Sequence, residues 1–83
     1  MKVQVRYFAS LREALGAAET VDIAPGSTLA MLREQLIGSS PQHAEVLARG
    51  RTVRCALNLV MSDESALLGD AAEVGFFPPV TGG

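Results

Sequence analysis

Three leucines, Leu29, Leu32 and Leu36, recur at helical spacing between a capping pair, Ser27-Thr28, and a terminating Gly38. They mark the one principal helix of the chain. A single amphipathic helix must bury its apolar side against something else, and the segments around it alternate with the period-2 pattern of half-buried strands. Residues 1 to 8 place Val3, Val5 and Tyr7 on one face and Lys2, Gln4 and Arg6 on the other. Thr20-Val21-Asp22-Ile23 alternates again and stops at Ala24-Pro25-Gly26, where proline fixes φ and glycine makes the turn. Thr52 to Met61 predicts two short strands or one bent strand, with the register around Asn58 open, and Glu73 to Phe77 predicts a last strand. Ala9 to Leu15, closed by Gly16, predicts a short helix, and Pro41 to Leu47 one more helical turn before Gly50. The expected fold is α+β: a mixed sheet packed on one main helix, with Arg33, Glu34 and Gln35 facing away from it.

Eighty-three residues hold one core. Seven Lys/Arg against nine Asp/Glu, scattered along the chain, leave a net charge of −2 and no basic stripe. Nucleic acid and membrane surfaces are therefore not expected partners. The alternating N-terminus lacks the apolar run of a signal peptide, so a cytoplasmic location is expected. One cysteine, Cys55, closes no internal disulfide, and one His with one Cys makes no metal cluster. Cys55 lies in a strand pattern and reads as a small buried hydrophobe. His43 reads as a solvated surface residue without a neighbouring acid. Gly26-Ser27-Thr28 lacks the lysine and the spacing of a phosphate loop. Catalysis by the chain itself is not expected.

The C-terminal run Phe76-Phe77-Pro78-Pro79-Val80-Thr81-Gly82-Gly83 is stiff, uncharged and free of side chains at its end. The diproline lacks two amide donors and carries the chain away from the sheet, so residues 78–83 are expected to form a tail following a domain at 1–77. Six residues reach roughly 20 Å when extended. Without Cβ atoms, Gly82 and Gly83 can enter a narrow cleft and present a carbonyl to attack. A carboxylate of pKa about 3.5 is inert until an enzyme converts it to a mixed anhydride with nucleotide phosphate. No residue here suggests ATP binding, so ATP would be used in trans, with no cofactor bound by this chain.

Strand parity adds a second feature. In the first strand Phe8 shares the outward register with Lys2, Gln4 and Arg6. In the last, Val74 and Phe76 take the core face and leave Phe77 outward with Glu73 and Gly75. Two large rings on a polar face beside a tail predict a docking patch, which Met61 extends.

These residues resemble a known family. Val5-Arg6-Tyr7-Phe8-Ala9, Leu11-Arg12-Glu13, Thr28-Leu29 with Leu32, Ala56-Leu57-Asn58 and above all Glu73-Val74-Gly75-Phe76-Phe77-Pro78-Pro79-Val80-Thr81-Gly82-Gly83 are similar to the small, sulfur-carrying subunits of molybdopterin synthase, ubiquitin-like β-grasp carriers. The resemblance implies that a ubiquitin-activating-type enzyme adenylates Gly83 with ATP and that the carboxylate becomes a thiocarboxylate. The tail, Pro78 to Thr81 with Gly82 giving access, then enters the large subunit and donates sulfur to precursor Z, forming the molybdopterin dithiolene. It also implies a heterotetramer, with Phe8, Met61 and Phe77 facing the large subunit and the activating enzyme in turn. Members of the family usually carry Asp-Gly-Asp-Glu where this chain reads Asp70-Ala71-Ala72-Glu73. Alanine tolerates positive φ poorly, so Gly69 is a rival site for the turn. A carrier serving thiamine or another thiolation pathway, or a ubiquitin-like protein modifier, would use the same diglycine chemistry.

Overall fold

A computed structural model describes residues 1–79. Strand β1 (Lys2–Tyr7) is followed by helix α1 (Ala9–Leu15), strand β2 (Ala18–Asp22), helix α2 (Leu29–Ile37) and helix α3 (Pro41–Leu47). Strands β3 (Arg54–Leu57), β4 (Val60–Ser62) and β5 (Glu73–Phe77) complete the order. The sheet runs β2-β1-β5-β3-β4, with β1 and β5 parallel at its centre and every other pair antiparallel. This mixed sheet on one main helix is the expected β-grasp.

Alternation decides the packing. Val3, Val5 and Tyr7 of β1 and Val74 and Phe76 of β5 are buried with Leu29, Leu32 and Leu36 of α2, so sheet and helix close one core. At about 2 kcal/mol for each fully buried side chain of this size, that shared core dominates stability. Thr28 caps α2, its hydroxyl accepting the Met31 N–H at 3.2 Å, while the Ser27 hydroxyl donates to the Ala24 carbonyl at 2.6 Å. Ser40 caps α3 in the same way, with Pro41 in its first turn.

Three expectations are corrected or settled. Arg33 does not face solvent with Glu34 and Gln35: it is 3% exposed. Its guanidinium donates to the carbonyls of Leu47, Ala48 and Arg51 at 2.8 to 3.0 Å and pairs with Glu64 at 3.0 Å, tying α2 to the end of α3 and the segment after it. A buried charge is tolerated because each guanidinium nitrogen finds an acceptor. The turn before β5 stays at Ala71, which takes φ 60° itself, and Gly69 is not at positive φ. Around Asn58 the chain makes a two-residue hairpin, since Leu57 pairs with Val60 and both Asn58 and Leu59 have positive φ.

Candidate functional site

The outward face of the sheet carries the residues singled out by parity. Phe8, 46% exposed, lies edge-on to Phe77 with ring centroids 6.2 Å apart, and Met61 is 55% exposed. Register explains the grouping. Gly75 of β5 pairs with Arg6 on one side and Ala56 on the other, and Ala56 pairs with Met61, so one row crosses the outer face. The small side chains of Gly75 and Ala56 leave a depression of about 260 Å³ that Phe8, Phe77 and Met61 border. The Phe8 ring lies over Gly75, where an added Cβ would come within 3.1 Å of it. Phe8, Met61 and Phe77 are thus brought together, and Pro78-Pro79 follow Phe77 directly. Val80, Thr81, Gly82 and Gly83 lie outside the described residues.

Two borders of this depression were not read from the sequence. Leu59, 89% exposed, lines it from the β3–β4 hairpin, and only the open register at Asn58 hid it. Arg6 and Glu73 close one end as an ion pair at 2.7 Å. Their adjacency follows from the parallel β1–β5 register, which no local pattern specifies.

On the core side of the sheet, His43 corrects its expectation. It is not a free surface imidazole: its side chain is 15% exposed and Nε2 lies 2.7 Å from Glu19 Oε2. A carboxylate only accepts, so Nε2 donates to Glu19, and Nδ1 lies 2.6 Å from the Ser40 hydroxyl. The Tyr7 hydroxyl donates to the same Glu19 oxygen at 2.7 Å. Burial, then the bond to Glu19 and its charge, hold the Tyr7 hydroxyl far above its ordinary pKa, so it remains a donor. For Glu19 burial pushes upward, but bonds from His43 and Tyr7 outweigh it and the carboxyl ends below its usual value. This chain of bonds fastens α3 to β1 and β2. Its serine is occupied as a helix cap, which argues for a structural role.

Cys55 is 5% exposed, and burial, followed by the Glu64 charge, raises its thiol pKa. A buried thiol with a raised pKa is a poor nucleophile. Among the described residues no three His, Cys, Asp or Glu side chains are grouped to hold a metal ion, and no helix is long and apolar enough to cross a membrane.

The outer face therefore presents apolar side chains beside the end of β5. The chain is 36% identical over 81 residues to the molybdopterin synthase sulfur carrier subunit of Escherichia coli, covering 98% of this chain and 99% of that one. Its fold matches the structure of the complex of subunits 1 and 2 of the molybdopterin-converting factor from Helicobacter pylori, with TM-score 0.70 and 27% identity over 100% of both chains. Small archaeal modifier protein 1 of Haloferax volcanii matches with TM-score 0.80 over 95% of this chain and 98% of that one, at 21% identity, a likeness of fold alone. The model of the ThiS family matches residues 5–83, and the chain belongs to that family.

Proposed function

We propose that this chain is the sulfur carrier subunit of a molybdopterin synthase. The observation that carries the reading is the end of β5, where the exposed Phe8 meets the half-buried Phe77 at the root of Pro78-Pro79, and Gly82-Gly83 follow within four residues in the sequence. The full-length likeness to the E. coli carrier subunit supports it.

The proposed chemistry needs only an accessible carboxylate on Gly83. The carboxylate attacks the α-phosphorus of ATP on an activating enzyme, forming an acyl adenylate and releasing pyrophosphate. A sulfur nucleophile delivered there displaces AMP and leaves a thiocarboxylate. In the large subunit that sulfur attacks a carbon of precursor Z and displaces the oxygen bonded there, the C–O electron pair leaving with the oxygen, and water then cleaves the acyl–sulfur bond. Sulfur stays on the substrate and Gly83 returns as carboxylate. Gly82 and Gly83 suit this passage because a bare backbone fits a narrow cleft. The carrier binds no cofactor: ATP is consumed by the activating enzyme, and the dithiolene is built by the large subunit in a heterotetramer.

Co-expression with the activating enzyme and a sulfur source, followed by thiol alkylation and mass analysis, tests the reading. The expected product is an alkylated Gly83 absent from a Gly83-deleted control, which subtracts Cys55. Loss of the Gly83-dependent adduct contradicts any carrier role, and Gly83 amide-linked to cellular lysines favours a modifier.

A further inference from the structure

Of the seven Lys and Arg side chains, six are arginines and one is a lysine, Lys2. A guanidinium stays protonated and does not attack a carbonyl, whereas an amine that has lost its proton does. Lys2 is therefore the one side-chain amine of this sequence that an activated Gly83 can acylate.

The fold leaves that amine open. Lys2 begins β1 in the outward register and is exposed. Its cross-strand neighbour is Asp22, the carboxylate best placed to pair with it. Asp22 turns instead to Met1, its Oδ1 accepting from the amino group at 3.2 Å. Met1 is held there, with its carbonyl accepting the Ile23 N–H at 2.8 Å and its side chain packed against the core. Among the described residues Lys2 makes no ion pair. It also stands outside the depression that Phe8, Met61 and Phe77 border.

Position decides which Gly83 it meets. In the parallel β1–β5 register Gln4 pairs with Glu73, so Lys2, two residues before Gln4, and Phe77, four after Glu73, lie at opposite ends of the sheet. They are about 20 Å apart along the strands, and residues 78–83 reach about the same distance when extended. A tail outstretched into an activating enzyme is therefore not also drawn back to its own Lys2, whereas another copy can present Lys2 there. We infer that Lys2 is an acceptor for the activated Gly83 of a second copy of this chain, joining two carriers by an isopeptide bond when no sulfur reaches the adenylate. This inference rests on the function proposed above and goes beyond it. The deprotonated Lys2 Nζ adds to the carbonyl carbon of the Gly83 acyl adenylate and a C–N bond forms. The C–O bond to phosphate breaks, its electron pair leaving with the phosphate oxygen as AMP departs, and the proton on nitrogen passes to water.

Incubation of the full chain with the activating enzyme, magnesium and ATP, without a sulfur source, tests it. The expected product has the mass of two chains less one water and yields a branched tryptic peptide joining residues 1–6 to residues 55–83. Lys2→Arg is expected to lower its yield tenfold or more with pyrophosphate exchange into ATP unchanged. Mixing Lys2→Arg as donor with a Gly83-deleted chain as acceptor should restore it. Exchange without the linked product, or a product that survives Lys2→Arg, overturns the inference. So does linkage to the Met1 amine, which leaves Lys2 open to trypsin, linkage to lysines of the activating enzyme alone, or closure of one chain onto its own Lys2. Absence of pyrophosphate exchange contradicts the proposed function itself and removes this inference with it, a result distinct from exchange that yields no linked chains.

Discussion

Phe76 and Phe77 are neighbours on one strand with opposite surroundings. Phe76 is 1% exposed and stacked beside Tyr7 in the core, whereas Phe77 meets Phe8 on the outer face, where Leu59 and Met61 stay open to solvent. The core side also holds the polar groups that need shelter, Tyr7, Glu19 and His43, while the outer side holds apolar groups the fold leaves uncovered. The difference teaches what each face is for. Burial that closes on itself stabilises the domain, and we propose that the apolar area left bare at the end of β5 binds another protein.

The sharpest way to break this comparison is the paired substitution. Phe76→Ala is expected to cost about 4 kcal/mol in denaturant unfolding, most of the stability of so small a domain. Phe77→Ala is expected to change stability by under about 1 kcal/mol yet weaken large-subunit binding by about 2 kcal/mol or more. Equal destabilisation by the two would erase the distinction between the faces.

Arg33→Met probes the polar part of the interior. It removes four hydrogen bonds, taking the Arg33 donors from the Leu47 and Arg51 carbonyls while Ala48 keeps the Arg51 N–H and Glu64 keeps Arg49, so a loss of about 2 to 3 kcal/mol is expected in the same unfolding measurement, with tail chemistry retained once folded.

The Glu19 cluster gives a pH signature. Its folded-state pKa lies below the unfolded one, so its stabilisation is present above the unfolded value of about 4.3 and fades as pH falls through the lower folded value. Glu19→Gln is expected to cost about 1 kcal/mol at neutral pH, and its melting-temperature gap from the wild type should narrow below about pH 4. A constant gap from pH 7 to pH 3 would remove the carboxylate from the account.

The smallest expected effect is at Ala71. Ala71→Gly relieves a φ of 60° and should stabilise by about 0.5 to 1 kcal/mol, read as a rise in melting temperature with binding unaltered.

How much of this was legible in the sequence follows from range. Period-2 alternation leaves no freedom in a strand, so Val3, Val5 and Tyr7 inward and Phe8 and Phe77 outward could be assigned from local pattern alone. Arg33 could not, because its acceptors lie 14 to 18 residues away and are set by how α3 ends against α2. A helical wheel sends such a charge to solvent, and tertiary carbonyls brought it back. His43 was misread for the same reason, its partner Glu19 being 24 residues distant on another element. Leu59 escaped notice because strand boundaries near Asn58 were undetermined, and a residue's face is unknown until register is.

Sulfur transfer itself tests the central claim most directly. Thiocarboxylated chain mixed with the large subunit and precursor Z in a single turnover should lose its Gly83 sulfur, regain a carboxylate and yield the dithiolene, with two carriers spent for each product. Persistence of the thiocarboxylate in the presence of a competent large subunit, with no dithiolene formed, would contradict the account.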